Sequence, residues 1–182
     1  GVQWNRGETV NLVVAIAALV SFIPLQYIPE VGMNFAYALP NAKTTNDVCA
    51  IDGRITKHKG RPFLCGTLDF GVSKHVASIV LAAMSYEITM RSAVNIRYSQ
   101  KTVDLCKKIG FTVGSYNRQN EPLDVTSTME WGTKYVVAEL GRLPDVIFDI
   151  GSVGKEPMIR IIGKNPEEVL SKLQKIVSTS IL

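Results

Sequence analysis

The sequence predicts an α/β protein built on a mixed sheet with helices on both faces. Apolar residues recur at helical spacing in several segments, and short runs rich in β-branched residues lie between them. Hairpin-like pairs of these runs alternate with single helical connections, a mixture that a regular parallel sheet does not show. The chain has 182 residues and no internal repeat or low-complexity segment, so we expect one domain over residues 1–182.

The first half of the chain predicts one helix and then several strands. Residues 10–23 are almost wholly apolar and stop at Pro24. They are too few for a bilayer span of about 20 residues, so we expect a buried helix capped near Glu8 or Thr9. A strand is expected over residues 31–39, and a polar loop over 41–53 in which 48–51 could start a strand. Short strands at 54–57 and 63–67 would flank a basic turn at 57–60.

Capping residues mark the helices of the second half. The expected N-cap residues are Ser73, Ser99, Ser127 and Asn165. Ser127-x-x-Glu130 forms a capping-box pattern before a helix over 129–140, and Pro166 suits the first position of the last helix. Gly110 and Gly141 would end the two middle helices. Strands are expected over 93–98 and 111–116.

Composition and charge exclude several classes of protein. A hydrophobic fraction of 46% and a charged fraction of 20% are those of a globular chain, not of a disordered one. The net charge of +4 suits anionic small molecules as well as it suits nucleic acid, and no dense basic stripe favours nucleic acid. Three widely spaced cysteines and two histidines form neither a disulfide framework nor a zinc ligand set, which indicates a reducing, cytoplasmic setting.

The segment 151–158 is the first candidate for function. It joins two strand-like runs, 144–149 and 158–163, and contains Gly151, Gly154, Lys155 and Glu156. Glycines let backbone N–H groups surround an anion and a lysine adds charge, so a phosphate-binding turn is one interpretation. An ordinary hairpin with solvated charges is the other. The segment is not a Walker A motif, because its spacing differs and no Ser or Thr follows the lysine.

One histidine and three arginines are further candidates. His75 lies near a predicted helix N-terminus, which favours a neutral ring that could donate a hydrogen bond to a leaving group or accept a proton. A partly buried structural histidine is the alternative. Arg54, Arg97 and Arg118 lie at predicted strand ends and could converge with Lys155 on a diphosphate, although each alone is a common surface residue. Carboxylates of the region could supply Mg²⁺ ligands, but no pair has diagnostic spacing.

Seven segments together resemble the archaeal-type thiamine-phosphate synthase family, the ThiN domain, over residues 10–178. In chain order the segments are Pro29-Glu30-Val31-Gly32-x-Asn34-x-x-Tyr37-Ala38-Leu39, Gly53-Arg54-Ile55, Phe70-Gly71-x-Ser73-Lys74-His75, Asn95-Ile96-Arg97-Tyr98, Glu121-Pro122, Glu130-Trp131-Gly132 and Gly154-Lys155-Glu156-Pro157-Met158. The resemblance implies a three-layer α/β/α fold with a mixed, mostly antiparallel sheet, similar to the class II aldolase/epimerase fold.

The resemblance also implies a reaction and a site. Hydroxymethylpyrimidine diphosphate would be joined to thiazole phosphate with release of pyrophosphate, and Mg²⁺ would serve as cofactor. Arg54 and His75 match the family's important arginine and histidine and are expected to be catalytic. The residues expected to bind substrate or phosphate are Asn34, Ser73, Lys74, Arg97, Arg118, Gly154, Lys155 and Glu156. No residue is assigned to a metal.

Two departures from the family pattern leave an alternative open. The family often has aspartate where this chain has Asn117 and Ser152, and similar domains serve as sensors in archaeal helix-turn-helix regulators. Such a sensor would bind thiamine phosphate or thiamine diphosphate without catalysis and without a cofactor. Because Arg54 and His75 are both present, the enzyme is favoured, and a structural module without a ligand is the weakest alternative. In either case we expect the C-terminal part of a longer chain, no direct contact with nucleic acid or membrane, and a homodimer as an allowed state.

Overall fold

The fold is described from a computed structural model, which covers the backbone of residues 2–182 and the side chains of residues 7–182. The helices are α1 (Val2–Phe22), α2 (His75–Tyr86), α3 (Gln100–Ile109), α4 (Thr128–Leu140) and α5 (Pro166–Ile181). The strands are β1 (Phe35–Ala38), β2 (Val48–His58), β3 (Arg61–Phe70), β4 (Ser92–Arg97), β5 (Val113–Ser115), β6 (Val146–Asp149) and β7 (Met158–Gly163).

The seven strands form one mixed sheet in the order β3-β2-β1-β4-β7-β6-β5. All neighbouring pairs are antiparallel except β5 and β6, which are parallel. Helices α1, α3 and α5 pack on one face, and α2 and α4 pack on the other. The α/β class, the mostly antiparallel sheet and the three layers expected from the sequence are therefore confirmed.

Side-chain alternation along the strands divides the core into two layers. Successive residues of a strand point to opposite faces, so Ile159 and Ile161 of β7 pack under α1, α3 and α5, whereas Ile162 packs under α2 and α4. By the same alternation Arg160 of β7 and Asp149 of β6 face the layer of α2 and α4. This second layer holds the candidate site.

The caps of the last three helices agree with the sequence. Ser99, Ser127 and Asn165 each accept a hydrogen bond from the backbone N–H three residues further on. Gly110 and Gly141 end α3 and α4 in the left-handed conformation, with φ of 101° and 74°. A residue with a Cβ adopts this conformation only at a cost, which is why glycine is favoured there.

The predicted start and burial of the first helix were wrong. Helix α1 is already formed at Val2, so no cap lies at Glu8 or Thr9. Only one side of it is buried, since Val10 and Val14 are more than half exposed. An almost uniformly apolar segment lacks the polar face that would show which side meets solvent.

Among the helices of the described residues, none combines the length and apolarity that a membrane crossing needs.

The predicted short strands of the hairpin were also wrong, because β2 and β3 pair without interruption from Cys49↔Phe70 to His58↔Arg61. The polar loop expected over 41–53 in fact ends where β2 begins. Gly53 and Gly66 face each other in this ladder with φ of 137° and 112°, and a Cβ on either would come within 2.0 Å of a carbonyl oxygen of the other strand. Glycines that look like a loop signal are here the condition for continuous pairing.

Two smaller corrections affect the surroundings of the site. Strand β1 covers only Phe35–Ala38, so residues 31–34 approach it as irregular backbone apart from one bridge, Met33↔Ile55. Ser73 does not cap α2: the cap position is Lys74, which has helical dihedral angles and makes no side-chain capping bond. Helix α2 therefore begins with His75 itself.

Candidate active site

Two adjoining cavities lie on the face of the sheet covered by α2 and α4. The larger has a volume of about 700 Å³ and the smaller about 400 Å³. Four residues, Val31, Lys74, His75 and Met158, line both cavities, so His75 and Lys74 stand where they meet. We call the two cavities together the cleft. Each cavity by itself falls in the size range of small-molecule sites.

A buried cluster of charges lies at and behind the inner wall of the larger cavity. Asp149 and Arg160 each keep only 1% of their surface exposed. Arg160 Nη1 donates to Asp149 Oδ2 at 2.7 Å, and Arg118 Nε donates to Asp149 Oδ1 at 3.0 Å. The Gly151 N–H donates to Oδ1 at 2.8 Å, and the Tyr116 hydroxyl donates to Oδ2 at 3.4 Å. Burial alone would raise the pKa of Asp149, but the two guanidinium groups lower it below its usual value, so the carboxylate is ionised.

His75 is neutral in this setting. Arg160 Nε donates to His75 Nε2 at 3.2 Å, so Nε2 acts as an acceptor and the ring proton resides on Nδ1. Burial against the cavity walls, followed by the charges of Arg160 and Arg118, lowers the pKa of His75 to about 3. By its overall accessible surface His75 is nevertheless an exposed residue, so water in the cleft screens those charges and weakens the effect of burial. Geometry and electrostatics agree on the direction: near pH 7 His75 can donate a hydrogen bond from Nδ1 but carries no positive charge.

Arg54 lies in the smaller cavity, on β2. Its Nη1 donates to the carbonyl oxygen of Val31 at 3.1 Å. Its aliphatic stem passes over Gly32, where a Cβ would come within 2.5 Å of Arg54 Cδ. The glycine, with φ of 86°, therefore makes room for the arginine stem. This packing holds the guanidinium group over the cavity.

Asn34 lines the same cavity, but its side chain ties strands together. Asn34 Oδ1 accepts from the N–H groups of Phe35 and Ile51, and Nδ2 donates to the Ile51 carbonyl oxygen at 3.0 Å. The Asn34 N–H in turn donates to Asn95 Oδ1 at 2.7 Å. These bonds hold β1, β2 and β4 together under the cavity. Asn34 thus shapes the cavity floor, and its role toward a substrate stays a prediction.

The segment 151–157 forms a tight hairpin connection. The N–H groups of Ser152 and Lys155 donate to each other's carbonyl oxygens at 3.1 and 2.9 Å, and the N–H of Gly151 goes to Asp149. A Cβ at Gly151, whose φ is 77°, would come within 2.5 Å of the Lys155 carbonyl oxygen. Because these three amides are engaged within the protein, the hairpin interpretation describes the backbone. The Lys155 side chain still lines the larger cavity.

Glu156 fastens this connection to the segment before β1. Its two carboxylate oxygens accept the backbone N–H groups of Glu30 at 2.8 Å and Val31 at 3.1 Å. The carboxylate therefore holds together two loops that border the larger cavity. Charge-assisted hydrogen bonds of this kind are stronger than neutral ones.

The structure brings most of the predicted site residues together. The larger cavity contains Lys74, His75, Arg118, Gly154, Lys155 and Glu156, and the smaller contains Asn34, Arg54, Ser73, Lys74 and His75. Arg97 lies elsewhere: it forms an exposed ion pair with Glu30 at 3.8 Å and lines a separate depression beside Tyr98. Asn117 and Ser152, the two departures from the family pattern, line neither cavity. An aspartate missing at these positions therefore removes no carboxylate from the cleft walls.

Sequence reasoning missed Asp149 and Arg160. A signal was present, since Arg160 interrupts the apolar run Met158–Gly163 at a position flanked by isoleucines, and Asp149 ends the apolar run of β6. Once 144–163 is taken as a hairpin, the two lie on the same face of neighbouring strands. A charge at a core-facing strand position must have a partner. That rule would have paired them.

The carboxylates around the cleft do not fit a Mg²⁺ ligand set. Asp149 is surrounded by donors, both oxygens of Glu156 accept backbone N–H groups, and Glu121 accepts from the Thr128 hydroxyl at 2.7 Å. Within the described part of the chain no three His, Cys, Asp or Glu side chains gather as a metal site would require. Mg²⁺ prefers octahedral oxygen ligation, often from substrate phosphates.

A further cavity of about 420 Å³ lies on the opposite face of the molecule, between α1 and α5. Its lining residues are Asn11, Val14, Ala15, Ala18, Tyr37, Asn165, Pro166, Glu167 and Leu170. Among the described residues that line it none is a cation and one is a carboxylate, so they do not favour an anionic ligand. The cleft is better suited because arginine and lysine side chains line it.

Comparison with known proteins places the chain in a family. The family described as thiamine-phosphate synthase ThiN matches residues 11–175. The bifunctional thiamine biosynthesis protein ThiDN of Methanocaldococcus jannaschii is 45% identical over 156 residues, which are 84% of this chain and 37% of that protein. The thiamine-phosphate synthase ThiN of Methanothermobacter thermautotrophicus is 36% identical over 154 residues, or 82% of this chain and 81% of that protein.

A solved structure supports the same placement. The crystal structure of the C-terminal domain of a phosphomethylpyrimidine kinase superposes with a TM-score of 0.90 at 37% identity, covering 94% of this chain and 99% of that one. The match of the family over nearly the whole chain and the identity to the Methanothermobacter protein lead to one conclusion. The chain belongs to the thiamine-phosphate synthase ThiN family.

Proposed function

We propose that this chain catalyses thiamine phosphate formation from hydroxymethylpyrimidine diphosphate and thiazole phosphate, with release of pyrophosphate. The observation that supports this most is the cleft: two adjoining cavities, meeting at His75, provide room for two small substrates. Arg54, Arg118 and Lys155 line its walls. Both substrates carry phosphate groups, and arginine and lysine are the side chains that bind them.

The reaction requires few catalytic groups from the protein. The thiazole nitrogen attacks the methylene carbon of the pyrimidine, a C–N bond forms, and the C–O bond to the diphosphate breaks. The bonding electrons leave with pyrophosphate, and the nitrogen becomes a quaternary cation. No proton is removed from the nucleophile, so the attack needs no general base. The protein has to align the two substrates and stabilise the departing negative charge.

The residues of the cleft match these demands. We propose that Arg54 holds the diphosphate, with Lys74 and Lys155 adding positive charge beside it. Neutral His75 would donate its Nδ1 proton as a hydrogen bond to the leaving oxygen or to the pyrimidine ring. Ser73 and Asn34 would contact the substrate in the smaller cavity, beside Arg54. Glu156 would keep the bordering loops in place.

Mg²⁺ enters this proposal as part of the substrate. Because the carboxylates of the cleft are already engaged, an ion accompanying the diphosphate would be held by phosphate oxygens and water. The ligand-sensor alternative has no support from the two named relatives, both of which carry the names of biosynthetic proteins. A homodimer stays a prediction that sedimentation analysis would test.

The decisive experiment measures thiamine phosphate formation from the two precursors with Mg²⁺. Arg54→Ala and His75→Ala are expected to lower kcat/KM by about 10²–10³, the usual loss for one group that stabilises developing charge. The matched control is Arg142→Ala, since Arg142 is exposed, contacts Thr112 and lines neither cavity. If both variants keep the activity of the wild type, the reaction takes place outside this cleft. A wild-type protein that makes no product, yet melts higher with thiamine phosphate, would support the sensor instead.

A further inference from the structure

Arg160 has an unused arm in a buried position. Its Nε bonds to His75 and its Nη1 bonds to Asp149, but its Nη2 has no hydrogen-bond partner. Among the described residues, Nη2 of Arg160 is the one buried side-chain nitrogen or oxygen atom in this state. A buried polar group without a partner destabilises the protein, and a charged one does so more strongly. The side chain lines the larger cavity. A ligand in that cavity can therefore supply the missing acceptor.

The charge balance around Arg160 indicates the sign of that ligand. Arg160 and Arg118 bring two positive charges to Asp149, which brings one negative charge. His75 is neutral, so the cluster keeps an excess positive charge in a poorly solvated place. Lys74 and Lys155 add further positive charge at the cavity walls. The N-cap and first two residues of α4, residues 127–129, also line the cavity and bring the positive end of the helix dipole to it.

We propose that the Nη2 arm of Arg160 binds a phosphate oxygen at the inner end of the larger cavity, and that Asp149 is the positioning residue that aims it. The proposal rests on the proposed function for its ligand. Its shared chemistry is a phosphate group, which belongs either to the departing diphosphate or to the thiazole phosphate. A guanidinium fork fits phosphate oxygens in a way that the single ammonium group of lysine does not.

Arg160→Lys is the test variant, because a lysine can keep the charge beside Asp149 but has no second arm. Calorimetric titrations use three probes separately: inorganic phosphate, pyrophosphate and thiazole phosphate. In Arg160→Lys we expect the affinity for at least one of the three probes to fall at least tenfold. Arg142→Lys, a matched change on the surface, should stay within twofold. If pyrophosphate binding depends on Arg160, the arm serves the leaving group, and if only thiazole phosphate binding does, it serves the nucleophile. Binding of all three that is unchanged in a folded Arg160→Lys protein, or absent in the wild type, overturns the proposal.

A second measurement on the unmodified protein covers the case in which Arg160→Lys does not fold. Because Arg160 Nε bonds to His75 Nε2, an anion on Nη2 should change the imidazole ¹⁵N shift of His75. His58, the other histidine, lies beside Phe63 and serves as the internal reference. Saturating pyrophosphate or thiazole phosphate that leaves the His75 nitrogens unchanged contradicts the proposal. Anion binding through Arg160 without turnover would refute only the enzymatic function, and turnover without dependence on Arg160 would refute only this subsite.

Discussion

Replacing Asp149 with asparagine should destabilise the fold far more than an ordinary carboxylate-to-amide change. Asp149 is 1% exposed and lies between Arg160 and Arg118, at 2.7 and 3.0 Å. The amide would keep one oxygen acceptor but would turn an NH₂ group toward an arginine. Arg160, itself 1% exposed, would then hold a buried charge without compensation. Arg118 has a side chain 10% exposed and can recover part of its hydration.

The size of the effect follows from this geometry. Removing one partner of a buried ion pair costs about 3–5 kcal/mol. The retained oxygen and the partial exposure of Arg118 place the loss for Asp149→Asn at about 3 kcal/mol, a large share of a total stability of about 5–15 kcal/mol. For a chain of this length that loss lowers Tm by roughly 6–12 °C.

Thermal and urea unfolding followed by circular dichroism measure this change. Glu30→Gln is the control, because Glu30 is 78% exposed and its 3.8 Å pair with Arg97 should contribute less than about 1 kcal/mol. Added salt should leave most of the Asp149→Asn effect in place, since buried pairs are poorly screened. The folded-state pKa of Asp149 is lowered, so its contribution is complete above about pH 4 and declines as the pH falls through the folded pKa. A loss below about 1 kcal/mol at pH 7 would refute the assignment of an ionised, compensated Asp149.

Two further predictions concern pH and packing. Because the pKa of His75 falls from 6.5 unfolded to about 3 folded, the unfolded chain binds the extra proton and wild-type stability drops as the pH falls from about 6.5 toward 3. His75→Gln should flatten that part of the curve in urea titrations, and an unchanged slope would contradict a neutral His75. Gly132→Ala on α4 should cost about 1–3 kcal/mol in the same assay, because its Cβ would come within 2.6 Å of the Tyr116 ring. Gly7→Ala on α1, where no atom of the described residues lies within 4 Å, should be neutral or stabilising by up to about 1 kcal/mol, and equal losses at both positions would rule out the packing explanation.

The sequence was informative wherever a local rule determines the structure. A serine or asparagine cap binds an amide three residues on, and a glycine ends a helix, so α3, α4 and α5 were placed nearly correctly. The first helix and the long hairpin were misjudged for a common reason. An apolar segment does not show which side is packed, and Gly53 looks like a loop until its partner Gly66 is known. Both depend on contacts between distant segments, which a single sequence does not display.

The candidate site shows the same difference between what local sequence patterns predict and what depends on contacts between distant segments. The residue types expected for phosphate chemistry gathered in one cleft because strand and helix ends on one face of this sheet converge there, whereas Arg97, the last residue of β4, lines a separate depression instead. The polar groups of Asn34 and of the hairpin loop mostly bind the protein's own backbone, and their expected contact with substrate stays a prediction. Polar residues that contact a ligand and polar residues that shape its cavity are of the same residue types, so a sequence does not distinguish them. Only the hydrogen bonds distinguish them.

The buried charges joined by β6 and β7 explain why such a cleft is stable and still ready for an anion. The strands pair with Ile147 opposite Arg160 and Asp149 opposite Met158, so the acid and the arginine are diagonal neighbours on one face. Asp149 compensates part of the positive charge, which keeps the arginine folded in place without a ligand. The positive charge that Asp149 does not compensate destabilises the protein, and a bound anion would remove this destabilisation. Anion binding should therefore stabilise the fold through the same residues that Asp149→Asn disrupts.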